Sequence, residues 1–219
     1  MKSPLIIQYY SDLLCIWAWI AQRRIDELNK EFGEHIQFEY HYVDIFGNVP
    51  QKMQTSWSEK GGYNGFAQHV HHSAQKYEDA IVHPDVWATV KPTTSANAHL
   101  ILKAVELTHD SKSAMDFALT LRKAFFINAQ DISNMSVLMG LAEKARLDTK
   151  AIQYHINNGL ALGELMSDYQ GAKSQSIKGS PSYVIDGGRQ TLYGNVGYRV
   201  LHANIEEMLK HPSHEASWC

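Results

Sequence analysis

Apolar and polar positions follow two different periods along this chain, and the changes of period divide it into three stretches. Leu5 to Tyr10 is a nearly unbroken apolar and aromatic run, suited to a central strand covered on both faces. Ser11 and Asp12 offer helix N-cap side chains, and Ala21, Ile25, Leu28 and Phe32 then recur at helical spacing until Gly33 ends the pattern. From His35 to Tyr42 the period is two, with Ile36, Phe38, Tyr40 and Tyr42 on one face and Gln37, Glu39 and His41 on the other. The opening reads β-α-β.

The hundred-odd residues that follow carry almost no strand signal. Helical stretches are punctuated by Gly47-Asn48-Val49-Pro50, Gly61-Gly62, His83-Pro84 and Lys91-Pro92, the last expected to open a helix with Ala96, Leu100 and Val105 facing inward. Further helices are expected from about Lys112 to Phe126, from Ser133 to Arg146 and within Thr149 to Ser176. Strand grammar returns at Ser182-Tyr183-Val184-Ile185, followed by the turn Asp186-Gly187-Gly188 and a partner around Thr191-Leu192-Tyr193. Tyr198, Leu201, Ile205 and Met208 then space out a last amphipathic helix before Pro212 and a polar tail. Periodicity thus predicts an α/β domain carrying a helical insertion.

Composition narrows the function classes. Twenty Lys and Arg against 23 Asp and Glu give a net charge of -3, with no basic block to track a phosphate backbone, so no nucleic-acid partner is expected. The N-terminal apolar run is too short for a signal peptide, and no stretch reaches the ~18 apolar residues of a membrane span. No membrane contact is expected, and a cytoplasmic location follows as the default. Two cysteines, Cys15 and Cys219, cannot build a disulfide framework.

Cys15 falls where a strand's carboxyl end turns into a helix, where free N–H groups and the helix dipole favour an anion. A thiol there is expected to be more acidic than a free one, and the thiolate is the nucleophilic form; the alternative is a buried core cysteine. Trp17 and Trp19 either wall an apolar substrate groove or belong to the core. His69-Val70-His71-His72 lacks a carboxylate or cysteine at matching spacing, so no metal site is expected and a solvated face is the simpler reading.

Two motifs in combination point to a family. Cys15-Ile16-Trp17-Ala18-Trp19-Ile20-Ala21-Gln22-Arg23-Arg24 is similar to a C-P-W-C-x-x-G-x-R-R pattern, and Gly179-Ser180-Pro181-Ser182-Tyr183-Val184-Ile185-Asp186-Gly187 to the loop that faces it. Lys91 to His99, Ala124 to Ser133 and Leu192 to Leu201 add further likeness, so that nearly the whole chain resembles the DsbA-like thioredoxin superfamily, above all its FrnE-like branch. More distant similarity extends to 2-hydroxychromene-2-carboxylate isomerases and kappa-class glutathione transferases. The resemblance implies a thioredoxin fold with an all-helical domain inserted between its β-α-β and β-β-α halves. Residues 1–43 and 178–210 would form the thioredoxin-like domain, 44–177 the insertion and 211–219 a tail. It also implies a cis Pro181 facing Cys15, with the Ser180 backbone pairing with the substrate; Asn97 and His99, within one of the resembling segments, either line the substrate cleft or belong to an ordinary helix surface.

One departure from the family pattern limits the chemistry. Disulfide-exchanging members carry C-x-x-C, whose second sulfur resolves the mixed disulfide formed by the first. Here that position is Ala18, and Cys219 in the tail is the only internal candidate for a resolving thiol. Three readings follow. The first is a thiol–disulfide oxidoreductase acting through Cys15 on a protein or small-molecule disulfide, with no tightly bound cofactor and with glutathione or another external thiol as co-substrate. The second is a glutathione-dependent isomerase or transferase, and the third a non-catalytic peptide-binding or redox-sensing module. Each is compatible with a homodimer.

Overall fold

The computed structural model describes residues 3–210. Four strands, β1 (Leu5–Ser11), β2 (Ile36–Tyr42), β3 (Ser182–Ile185) and β4 (Gln190–Tyr193), form one sheet in the order β2-β1-β3-β4. β1 runs parallel to β2, with Leu5 opposite Ile36 and Ser11 opposite Tyr42, and antiparallel to β3, with Tyr9 opposite Tyr183. β3 and β4 are antiparallel and joined by a short 3-10 turn over Asp186–Gly188, in which Gly187 takes φ 62°. The bond between Ser180 and Pro181 is cis.

Helix α1 (Ile16–Phe32) links β1 to β2, and α9 (Tyr198–Lys210) follows β4. Between β2 and β3 lie α2 (Val49–Thr55), α3 (Gly62–Ala74), α4 (Ala96–Thr108), α5 (Ser111–Phe126), α6 (Met135–Lys144), α7 (Thr149–Asn157) and α8 (Leu160–Ser174). This is the thioredoxin arrangement with a helical insertion that the periodicity and the resemblance predict together. Short polar residues start several helices as expected: Asp110, Asn134 and Asp148 each accept a hydrogen bond from a first-turn N–H of α5, α6 and α7.

Two expectations are corrected. Ser11 and Asp12 do not cap α1: Ser11 ends β1, and the N-cap is Cys15, which makes no side-chain capping bond. Lys91-Pro92 does not open α4; the helix starts at Ala96, and its inward face is Ala98, Ile101, Leu102 and Val105, with Ala96 and Leu100 only partly covered. Proline there sits in the approach loop, where its fixed φ suits an extended segment as well as a helical first turn.

The core shows why α1 matters. Its first half, Ile16, Ala18, Trp19 and Ile20, packs into a large cluster with the inserted helices, including Phe66, Trp87, Phe125 and Phe126. Its second half, Ile25 and Leu28, packs into a separate cluster with the sheet residues Ile7, Tyr9, Phe38 and Tyr183 and with Leu201, Ile205 and Met208 of α9. One helix therefore belongs to both cores.

A buried polar junction fixes the insertion to the sheet edge. Asp168 Oδ2 of α8 accepts the Tyr42 N–H at 3.0 Å and stands 2.9 Å from Lys103 Nζ of α4, while its Oδ1 lies 2.8 Å from His41 Nδ1. Burial pushes the Asp168 carboxyl up, but the His41 hydrogen bond and the Lys103 ammonium outweigh it and hold the group below its ordinary value. A depressed carboxyl contributes stability that is complete above the unfolded value and disappears as pH falls through the folded one. Asp168→Ala leaves Lys103 buried without its main partner, and a loss of about 3–5 kcal/mol is expected by urea denaturation at pH 7. The deficit relative to the unsubstituted protein should shrink below pH 4, and a pH-independent deficit would show that the charge is not its source.

Candidate active site

The site grows out of a four-residue turn. After β1 ends, the Cys15 N–H returns to the Asp12 carbonyl at 3.1 Å, and the Cys15 carbonyl then accepts the Trp19 N–H at 3.1 Å as α1 begins. Asp12 itself is fully buried. Its Oδ1 accepts the Leu14 N–H at 2.9 Å, and its Oδ2 accepts the N–H groups of Ile45 and Phe46 at 3.2 and 2.9 Å and the Ser95 hydroxyl at 2.8 Å. One carboxylate thereby joins the turn to the loop after β2 and to the start of α4.

The cis-proline loop closes the other side. The Asp12 N–H donates to Ser180 Oγ at 2.9 Å, and the Cys15 thiol donates to the Ser180 carbonyl at 3.2 Å. Beside this contact a groove of about 620 Å³ is lined by Ser176, Lys178, Gly179, Ser180, Tyr193 and Gly194, with Tyr193 52% exposed. A separate groove of about 710 Å³ is lined by Trp19 and Ile20 of α1, and Cys15 lines neither groove.

Cys15 is 6% exposed, and burial pushes its thiol up, with the nearby Asp12 charge acting in the same direction. A hydrogen bond from the Ser180 side chain and those from the N–H groups of Ala18 and Trp17 oppose the rise without cancelling it. The expectation of an acidified thiol is thus overturned for the free protein: the helix start does favour the anion, but desolvation is larger.

The other candidate residues are distributed as follows. Trp17 is half-buried, edge-on to His69 with 6.3 Å between ring centres. Trp19 belongs to the core, stacked on Phe126 and donating to the Ile81 carbonyl. Ser180 meets Cys15 directly through its carbonyl, and Pro181 follows it across the cis bond. Asn97 is engaged elsewhere, donating to the Ser133 carbonyl at 2.7 Å, so it ties α4 to the loop before α6. Cys219 lies outside the described residues. His69 is not part of a solvated face; it packs among Trp57 and Phe66, and burial pushes its imidazole down.

Several contributors carry no local signal in the sequence. Asp12 looks like a helix cap by position, whereas three of its donors come from 33, 34 and 83 residues away. His99, read as near the cleft, lies behind the turn and is fully buried, accepting the Leu13 N–H at 3.3 Å through Nε2. Arg122 of α5, also fully buried, donates to Ser11 Oγ at 2.9 Å and Gln22 Oε1 at 3.3 Å.

Comparison with known proteins agrees with this fold. Residues 6–206 match the family described as DSBA-like thioredoxin domain. A relative called ClpXP adapter protein SpxH, from Halalkalibacterium halodurans, is 25% identical over 218 residues, covering 95% of this chain and 69% of that protein. A second SpxH, from Shouchella clausii, is 25% identical over 199 residues, and the chain spans 58% of its length. Among solved structures, the cytosolic disulfide reductase DsbM from Pseudomonas aeruginosa superposes with TM-score 0.70 at 17% identity, over 94% of this chain and 99% of that one. A 2-hydroxychromene-2-carboxylate isomerase superposes with TM-score 0.69 at 16% identity, over 94% and 96%.

The raised thiol has a direct test. Each unit of upward shift lowers the thiolate fraction at neutral pH about tenfold. At pH 7 native Cys15 should therefore react with iodoacetamide more slowly than the same residue in guanidine-unfolded protein; an equal or faster native rate would mean that the helix start outweighs burial.

Proposed function

Because the chain belongs to the DSBA-like thioredoxin domain family, we propose that it is a single-cysteine thiol–disulfide oxidoreductase that uses glutathione, or another external thiol, to complete its cycle. The observation that carries this reading is the contact between the Cys15 thiol and the Ser180 carbonyl of the cis-proline loop, with Ala18 rather than a second cysteine one helical turn on. An extended substrate can pair with the Ser180 backbone as an added strand, which presents its disulfide to the sulfur.

The chemistry then runs in two exchanges. Cys15 thiolate attacks one sulfur of a glutathione–protein disulfide, forms a Cys15–glutathione disulfide, and releases the protein thiolate, which takes up a proton. A second glutathione, as thiolate, attacks the glutathione sulfur of that intermediate, releases Cys15 thiolate and leaves as glutathione disulfide. The substrate's mixed disulfide is reduced to a protein thiol, one incoming glutathione is oxidised and leaves joined to the glutathione the substrate carried, and Cys15 is unchanged. A reducing compartment suits this cycle, and DsbM, described as cytosolic and as determined with GSH, supports both the compartment and the co-substrate.

A second reading has its own support. The SpxH relatives are described as ClpXP adapter proteins, which favours a protein-binding role in which the same groove holds a partner peptide without chemistry.

Intact mass after incubation with oxidised glutathione separates the two. The oxidoreductase reading expects one added glutathione on Cys15, lost again on adding reduced glutathione, together with turnover of a glutathionylated test peptide that Cys15→Ser abolishes. Protein that takes up no glutathione, or turnover that survives Cys15→Ser, overturns it. Ala18→Cys restores a C-x-x-C spacing at a buried position. This variant should lose two protons instead of retaining glutathione.

A further inference from the structure

His99 stands on α4, on the far side of the nucleophile turn from the substrate groove, and the proposed reaction does not use it. Its surroundings define its protonation. Nε2 accepts the Leu13 N–H, so that nitrogen is bare, and the proton of the neutral ring is on Nδ1, 3.0 Å from the Tyr169 hydroxyl. The ring stacks on Tyr42, with 4.7 Å between centres. Asp12 Oδ1 lies 3.9 Å from the same Nε2, close enough to attract it once protonated but held by other donors while it is not.

We propose that His99 is a positioning residue for Cys15: as the neutral ring it holds the Leu13-to-Cys15 turn in its reactive shape by accepting the Leu13 N–H, and gaining a proton breaks that contact and draws the ring toward Asp12. The proposal rests on reading Cys15 as the nucleophile. An imidazolium has no acceptor, so the Leu13 N–H is left buried without a partner, and the new ion pair competes for the oxygen that holds Leu14. Both changes fall on residues adjoining Cys15. The charged and titratable groups facing the ring from every packed element are Asp12, Asp44, Asp168, Arg122, Tyr42 and Tyr169. Burial, assisted by Arg122, pushes the imidazole down against the three carboxylates, so the neutral form prevails at neutral pH and protonation falls below the ordinary histidine value near ~6.5.

The test is the pH profile of Cys15 modification by methyl methanethiosulfonate, a small probe that does not itself titrate. Thiolate supply alone makes the rate fall about tenfold per pH unit below the thiol pKa. The proposal expects a steeper fall in the acidic range, approaching about a hundredfold per unit once His99 is protonated, and a return to tenfold in His99→Gln, whose amide oxygen can still accept from Leu13. A tenfold or shallower fall in the unsubstituted protein overturns it, because an imidazolium acting only through its charge would increase the thiolate. If His99→Gln does not fold, nitrogen-labelled histidine in the unsubstituted protein decides. A bare Nε2 at pH 7 that becomes protonated over the range where the rate steepens supports the proposal, and a ring carrying its proton on Nε2 at pH 7 rejects it. Cys15 that fails to take up glutathione would instead reject the reaction and leave this profile interpretable, since the probe needs only a reactive thiol.

Discussion

The Asp12 carboxylate is the interaction on which the site depends. Removing a carboxylate from water is expensive, and the burial is tolerable only where its lone pairs are taken up again. Here four donors from three separate segments do so: Leu14 in the turn, Ile45 and Phe46 after β2, and Ser95 before α4. Hydrogen bonds to a charged group contribute about 1.5–3 kcal/mol each, and one lost donor leaves the same charge buried with less compensation. The arrangement is all-or-none for that reason. The chain cannot move β1's end, the loop after β2 or the start of α4 independently without exposing the cost of that buried charge.

The same burial decides the state of the Cys15 thiol. A helix N-terminus is worth about 0.3–1 kcal/mol to an anion, and up to ~2 in a partly buried setting. Full burial shifts an ionisable group by as much as ~3–5 units, each about 1.36 kcal/mol. At a sulfur 6% exposed beside a buried carboxylate, desolvation wins. The resting thiol is neutral and spends its proton on the Ser180 carbonyl, the group an extended substrate would claim. In the proposed reaction a substrate strand would meet the same carbonyl as the thiol, and the state of Cys15 would then depend on whether the groove is filled.

Most of the fold was legible because it is written in local periods. The run at Leu5 to Tyr10, the alternation through Tyr42, the Asp186-Gly187-Gly188 turn and the spacing of Leu201, Ile205 and Met208 all correspond to elements with nearly those bounds. The failures are positional: Lys91-Pro92 resembles a helix start because proline's φ suits one, and only packing reveals that α4 begins at Ala96. The site was legible at Cys15 from its place at a strand end, and at Pro181 only through resemblance, since a cis bond has no local signature. Asp12 and Arg122 were not legible at all as site residues, and His99 only as a residue near the cleft. A buried polar residue is defined by the partner it meets, and apart from the Leu14 N–H on Asp12 theirs lie between 33 and 111 residues away.

Those distant partners have a common origin, and it explains what the insertion does. Three successive residues at the end of β1 are gripped from the inserted helices: Ser11 by Arg122 of α5, Asp12 by Ser95 at the start of α4, and Leu13 by His99 of α4. From the other side the cis-proline loop holds the Asp12 N–H and the Cys15 thiol. The turn that carries Cys15 thus hangs between two clamps, one from each flank, and has little backbone freedom of its own. Because α1 also buries its first half among the inserted helices and its second half against the sheet, a shift of the insertion cannot be absorbed by the helix that follows the turn. It must appear at Cys15. The insertion is therefore part of what shapes the turn at Cys15 rather than a cover laid over a finished thioredoxin fold.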